Sequence, residues 1–163
     1  MGSSRRTYVA LALLAIAVAS TQAFPALYVG EYAASCLDHP AKGFKAHGAP
    51  VANNGITFIV AQEGKPNTQL CRGVNTVQVS GLGPVLYLLT ATAGSFTPAS
   101  DAQCPNRLYT KGGATVPAPV TLTLPCSATG SVTLKVTAAS GSRATYQTAS
   151  MNLPVDASCG ACR

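Results

Sequence analysis

The rhythm of the apolar runs is what most limits how this chain can fold: after residue 23 they are short and alternating, and clusters of Gly, Pro, Asn and Ser part them. In residues 120–124, Val120, Leu122 and Leu124 face one way while Thr121 and Thr123 face the other, the period-two signature of a half-buried strand. Residues 131–137 repeat it with Val132, Leu134 and Val136, and residues 74–80 set Val77 and Val79 against Thr76, Gln78 and Ser80. A β-branched run at 56–61, a short run at 107–110 and an extended run at 144–155, cut by Pro154, predict further strands. Residues 85–93 are apolar on both sides in their early half, which predicts a central strand. Turn formers at Asn53-Asn54-Gly55, at 64–67, at Gly81 to Pro84 and at 125–130 separate these runs. No helical repeat of apolar residues lasts three turns. The expected fold is therefore all-β: an antiparallel immunoglobulin-like β-sandwich of about seven strands. The chain has no Trp, so the Cys…Trp…Cys pattern of true immunoglobulin domains is missing and the likeness is architectural.

Residues 1–23 read as a signal peptide. Arg5 and Arg6 precede an apolar run from Tyr8 to Ala19, and Thr21 and Ala23 are the small residues of a cleavage site before Phe24. That run is shorter than the roughly 20 residues needed to span a bilayer. A single β-sandwich domain is expected over residues 24–155, followed by a Cys-x-x-Cys tail at 156–163. The polar tail lacks the hydrophobic stretch of a lipid-anchor signal, and no second long apolar stretch predicts a membrane span. The expected location is secreted, extracellular.

All six cysteines (Cys36, Cys71, Cys104, Cys126, Cys159 and Cys162) follow the cleavage site. In an oxidising compartment an even set predicts three disulfides stapling the domain, with the pairing open. Loss of Arg5 and Arg6 lowers the formal charge from +6 to +4. The remaining cations are scattered, without the basic stripe that phosphate neutralisation needs, so nucleic acid is not an expected partner.

Candidate chemistry is sparse. Cys159 and Cys162 have a spacing that suits a small-ring redox disulfide or half a zinc site, but no helix follows them and no second ligand pair is spaced to match. His39 and His47, with Asp38 and Glu31 nearby, are weak candidates for a metal site. Otherwise they are loop residues, one shaping the His-Pro turn and the other solvated. Met151 has no Cys and His partners in the spacing of a blue-copper site. No Gly-x-Ser-x-Gly elbow occurs, and the acids Glu31, Asp38, Glu63, Asp101 and Asp156 form no evident pair. No catalytic residue set and no cofactor are expected. Tyr28, Tyr32, Tyr87, Tyr109 and Tyr146 can either stack on sugars or pack in the core.

The order of landmarks resembles reeler-like domains. A Cys is followed by His39-Pro40 and then His47-Gly48-Ala49-Pro50. Next come Asn75 to Gly81, Leu86 to Ala91, and Gly94-Ser95-Phe96, and the chain closes with the strand pair at 120–125 and 130–136. Two departures stand out: Ala93 occupies the position of an Arg common in that group, and the late-strand Trp is absent. The Cys159/Cys162 tail is no feature of the group either. The resemblance implies an immunoglobulin-like sandwich secreted as a small defence- or matrix-type protein, and it implies no catalytic residues. The expected function is a non-enzymatic binding module for extracellular matrix, cell-surface glycans or microbial surfaces, with a glycan or protein as ligand. The alternatives are a structural wall or matrix component with glycosylated Thr/Ser faces, and a metal or redox protein using His39/His47 or Cys159/Cys162.

Overall fold

The computed structural model describes residues 24–141, 143–160 and 162, so the expected signal peptide lies outside the described residues. The chain enters through a short helix, α1 (Ala26–Glu31), which the sequence pattern did not signal. Ten strands follow: β1 (Val51–Ala52), β2 (Thr57–Gln62), β3 (Lys65–Asn67), β4 (Leu70–Ser80), β5 (Leu86–Ala91), β6 (Ser95–Thr97), β7 (Arg107–Tyr109), β8 (Val120–Leu124), β9 (Ser131–Ala139) and β10 (Gln147–Gly160). No helix among the described residues is long and apolar enough to cross a membrane.

All-β is the right class, but the sheet is mixed rather than purely antiparallel, and ten strands replace about seven. Strands β3, β2, β4, β8 and β6 pair antiparallel in one layer, and β10, β9, β5 and β7 pair antiparallel in the other. Strand β10 belongs to both layers. Its residues 147–154 run antiparallel to β9, then Val155 and Asp156 pair parallel with Leu70 and Cys71 of β4. β1 also lies parallel to β10. Two separate sheets thereby become one curled sheet. Pro154, expected to cut the last strand, lies at the crossing: a proline cannot donate to a ladder, so the strand changes partners there.

The extra strands have local causes. Glu63 and Gly64 both take positive φ (49° and 78°), the two-residue turn whose twist suits a hairpin. The segment read as a plain break therefore folds back as β3, an edge strand that tolerates Pro66.

Between the layers lies a core of Phe58, Val60, Val77, Val79, Phe96, Leu122 and Leu124 against Tyr87, Leu89, Val132, Leu134 and Val136. The alternation read from residues 74–80, 120–124 and 131–137 is the alternation observed. Strand β5 is buried on both faces, as expected, because its Leu88 side meets a second cluster of Phe24, Tyr28, Val29, Ala139 and Tyr146. Its position is less central than expected, since only the short β7 lies beyond it.

Strict alternation fails where β4 begins, since Leu70 and Cys71 are consecutive and both buried. Buried Asn75 repairs the irregularity. Its Oδ1 accepts the Cys71 N–H at 2.8 Å, and its Nδ2 donates to the carbonyls of Cys71 (2.8 Å) and Gly73 (3.1 Å). Asn75→Ala strands these groups without water, and urea denaturation should register a loss of about 2–3 kcal/mol. A loss below about 0.5 kcal/mol would mean the strand re-pairs without the amide.

Candidate binding site at the amino-terminal cap

Thr90 of β5 and Thr137 of β9 occupy positions on the side of their strands away from the main core, where solvent would normally meet the hydroxyls. Residues 24–50 cover them instead. His39, 8% exposed, places Nδ1 2.8 Å from the Thr137 Oγ1 and Nε2 2.9 Å from the Thr90 Oγ1. A hydroxyl can accept from or donate to either ring nitrogen, so both nitrogens of the imidazole are satisfied. Burial, reinforced by the charge of Lys135 and opposed by that of Asp38, pushes its pKa down to about 3.

His47 is also buried. Its Nδ1 donates to the Ala144 carbonyl at 2.7 Å, and its ring stacks on Tyr146 at 4.5 Å with Phe24 at its edge. The two histidines thus clamp different parts of the cap, and neither is the solvated loop residue of the plainer expectation. No group of three His, Cys, Asp or Glu able to hold a metal occurs among the described residues. Tyr146 is fully buried, its hydroxyl lacks a partner among the described residues, and burial raises its pKa.

Helix α1 presents Tyr28, and Tyr32 follows at its C-terminal cap, four residues on and therefore along the same side. Phe44 meets both rings edge-on, with centroids 5.5 Å from Tyr28 and 4.9 Å from Tyr32. Around them opens a pocket of about 650 Å3 lined by Tyr28, Tyr32, Asp38, His39, Lys42 and Phe44. Tyr32 remains 51% exposed, and the Lys45 ammonium lies 5.9 Å from its ring centroid. Asp38 accepts from the backbone N–H groups of Ala34 and Ser35 and from the Ser35 hydroxyl. The Ser35 hydroxyl is the main reason its carboxyl sits below the usual range. An aromatic floor with a polar, mixed-charge rim suits the apolar face of a ring whose edge carries hydroxyls.

The cysteines pair as Cys36–Cys104, Cys71–Cys159 and Cys126–Cys162, with none left free. The first staples the cap to the loop before β7. Cys159 and Cys162 bond to different partners rather than to each other, so their spacing marks two neighbouring anchors of β10 and the chain beyond it. Three disulfides fit an oxidising compartment.

The remaining sequence candidates lie apart. Glu63 is in the β2–β3 turn, Asp101 pairs with Arg107, Asp156 accepts from Gln69 and Ser158, and Met151 is 37% exposed on β10. Tyr87 is buried against the main core, whereas Tyr109 is only partly buried. Phe44, Lys42 and the Arg107–Asp101 pair escaped sequence reading, because no periodic pattern links them to the tyrosines.

No protein-family model matches the chain, and no curated protein matches its sequence. Among solved structures, the reelin-N domain of F-spondin is similar at 20% identity over 66% of this chain and 92% of that one, with a TM-score of 0.48. The human F-spondin reeler domain (fragment 1) is similar at 19% identity over 66% and 94%, with a TM-score of 0.49. The reeler-like resemblance read from the sequence is met again here, as a likeness of fold.

Proposed function

We propose that this chain is a secreted binding domain without catalytic chemistry, and that it takes an extracellular glycan on the aromatic pocket of its amino-terminal cap. The observation that carries the reading is Tyr32: a half-exposed ring held edge-on by Phe44 beside a pocket large enough for a sugar. The leader-like first 23 residues and the fully paired cysteines support export. In this reading neither nucleic acid nor a bilayer is a partner, since the cations form no stripe.

A glycan array probed with the secreted chain tests the proposal, followed by affinity measurement on the best glycan. Tyr32→Ala should weaken binding by about tenfold, the worth of one ring contact of ~1.4 kcal/mol, while the melting temperature stays close to wild type. Unchanged affinity in a folded Tyr32→Ala variant, or no glycan bound by the wild type, would remove the pocket from consideration.

One observation favours a structural matrix role as a second reading. On the outer side of the first layer, Pro66, Ala61, Thr76, Thr121 and Thr97 stand directly opposite one another across five strands, with Val74, Thr123 and Ser95 as the next row. The face formed by these eight residues carries no charge, and its hydroxyls make no hydrogen bond among the described residues; such hydroxyls are open to glycosylation. Intact mass of the secreted chain should then exceed the disulfide-bonded polypeptide by whole hexose units. A mass equal to the bare polypeptide leaves the binding reading alone in place.

A further inference from the structure

Strand β10 has an open edge along its middle. β1 pairs with it at Gln147 and Thr148, and β4 pairs with it from Val155 onward. Between these points, residues 149–153 pair with β9 on one side and, among the described residues, with no strand on the other. A pocket of about 440 Å3 opens along that edge, with Ile56, Ala149 and Ser150 in its lining. Met151 lies at the centre of the edge. It stands directly opposite Leu134 in the antiparallel register, and side chains so placed share one face of a sheet. Leu134 is fully buried, and Ala149 and Leu153, two residues to either side of Met151 on that same face, pack on the main core. Met151 itself is 37% exposed. The strand turns its thioether side chain towards the core, and the missing neighbour lets solvent reach it.

The geometry points to Met151 as an oxidation site for hydrogen peroxide or an organic hydroperoxide, at which the product loosens the middle of β10. The thioether lone pair attacks one peroxide oxygen, and the S–O bond forms as the O–O bond breaks. The departing oxygen takes the proton from the transferred one and leaves as water or as an alcohol. Sulfur is oxidised to the sulfoxide and the peroxide is reduced. Few groups compete for the oxidant. All six cysteines are in disulfides, the chain has no Trp, and its other methionine, Met1, lies in the expected leader. The sulfoxide is polar, whereas the face that carries it is apolar. Its oxygen is either buried beside Leu134 and Leu153 without a partner, or it draws the side chain off the core to meet water. Both outcomes cost this strand packing, just before it crosses to the other layer. Nothing in this chemistry requires a glycan at the cap.

The test treats the full secreted chain with hydrogen peroxide and reads intact mass, peptide maps, melting temperature and hydrogen exchange. One oxygen should be added, at Met151, at a rate within about tenfold of free methionine. The oxidised protein should melt about 2–6 °C lower, and amides of β9 and β10 around the Met151–Leu134 pair should lose protection. Met151→Leu keeps the bulk of the side chain without its sulfur. This variant should gain no oxygen and hold its melting temperature under peroxide. Met151→Gln sets a polar group at the same place and should melt lower without any oxidant. A sulfur that reacts more than about tenfold slower than free methionine overturns the assignment, because solvent then does not reach it. So does an oxidised protein whose melting temperature and exchange match the untreated chain, which would make Met151 an ordinary surface residue.

Discussion

A Cys71→Ala/Cys159→Ala variant should lose about 4–5 kcal/mol of stability, more than a Cys126→Ser/Cys162→Ser variant loses. Two physical effects act together. The first is chain entropy: these bridges close sequence separations of 88 and 36 residues, and the logarithmic dependence on loop length makes the longer one worth only about 0.8 kcal/mol more. The second effect decides the ranking. Cys71 has no exposed surface and lies in β4 at the point where β10 joins it, whereas Cys126 sits in an exposed turn.

The join between β4 and β10 has little else to hold it. Among the described residues Val155, Asp156 and Gly160 pair with β4, and the register shifts between the last two. Gly160 also passes so close to the Arg72 carbonyl, at a φ of 99°, that no side chain fits there. Without the Cys71–Cys159 bond, residues 155–160 should detach while the rest of the sheet persists. Denaturant midpoints of the two double variants check the ranking, and hydrogen exchange should show lost protection in that segment for the Cys71/Cys159 variant alone. A difference of only about 0.8 kcal/mol would mean that chain entropy governs both and that burial of Cys71 adds nothing.

The strands with one clean inner face were legible because burial on one side leaves a period of two in the residues themselves. Val120-Thr121-Leu122-Thr123-Leu124 and the run from Val132 to Val136 are of this kind. What escaped were features set by contacts distant in sequence. Pro154 reads as the end of a strand, and only the presence of β4 beside it turns the end into a crossing. Pro66 reads as a breaker, and only an edge position makes it acceptable.

The candidate site was half legible. Tyr28, Tyr32 and His39 were singled out by residue type, but their grouping depends on a helix too short to leave a periodic trace and on Phe44 arriving from a loop. Asp101 and Arg107 have no spacing that signals a contact. Thr90 and Thr137 lie on the side of their strands away from the main core, and nothing in those strands announces a buried histidine between them.

That histidine makes the protein sensitive to mild acid. In the folded chain His39 stays neutral down to about pH 3 because burial opposes its charge, with Lys135 adding to the effect and Asp38 working against it. In the unfolded chain it titrates near the ordinary 6.5. The sign follows from proton counts: between these values the unfolded state binds a proton that the folded state refuses, so stability falls as pH falls. The slope approaches about 1.4 kcal/mol per pH unit, for a loss of about 2–3 kcal/mol between pH 6.5 and pH 4.5.

The carboxyls held low in the folded chain, Asp38, Asp101 and Asp156, act in the same direction but mainly at lower pH, where the unfolded acids begin to protonate. Urea titrations at pH 7.0, 6.0, 5.0 and 4.5 on wild type and His39→Gln separate the effects. The amide keeps a donor and an acceptor for Thr90 and Thr137 but takes up no proton in this range, so the variant should start about 1–3 kcal/mol less stable at pH 7 and lose about 2 kcal/mol less than wild type between pH 7 and pH 5. Because His47 is present in both proteins, its contribution cancels in the difference. Parallel profiles for the two would show that the buried ring between the threonines accepts its proton without unfolding the cap, and that the acid sensitivity lies elsewhere.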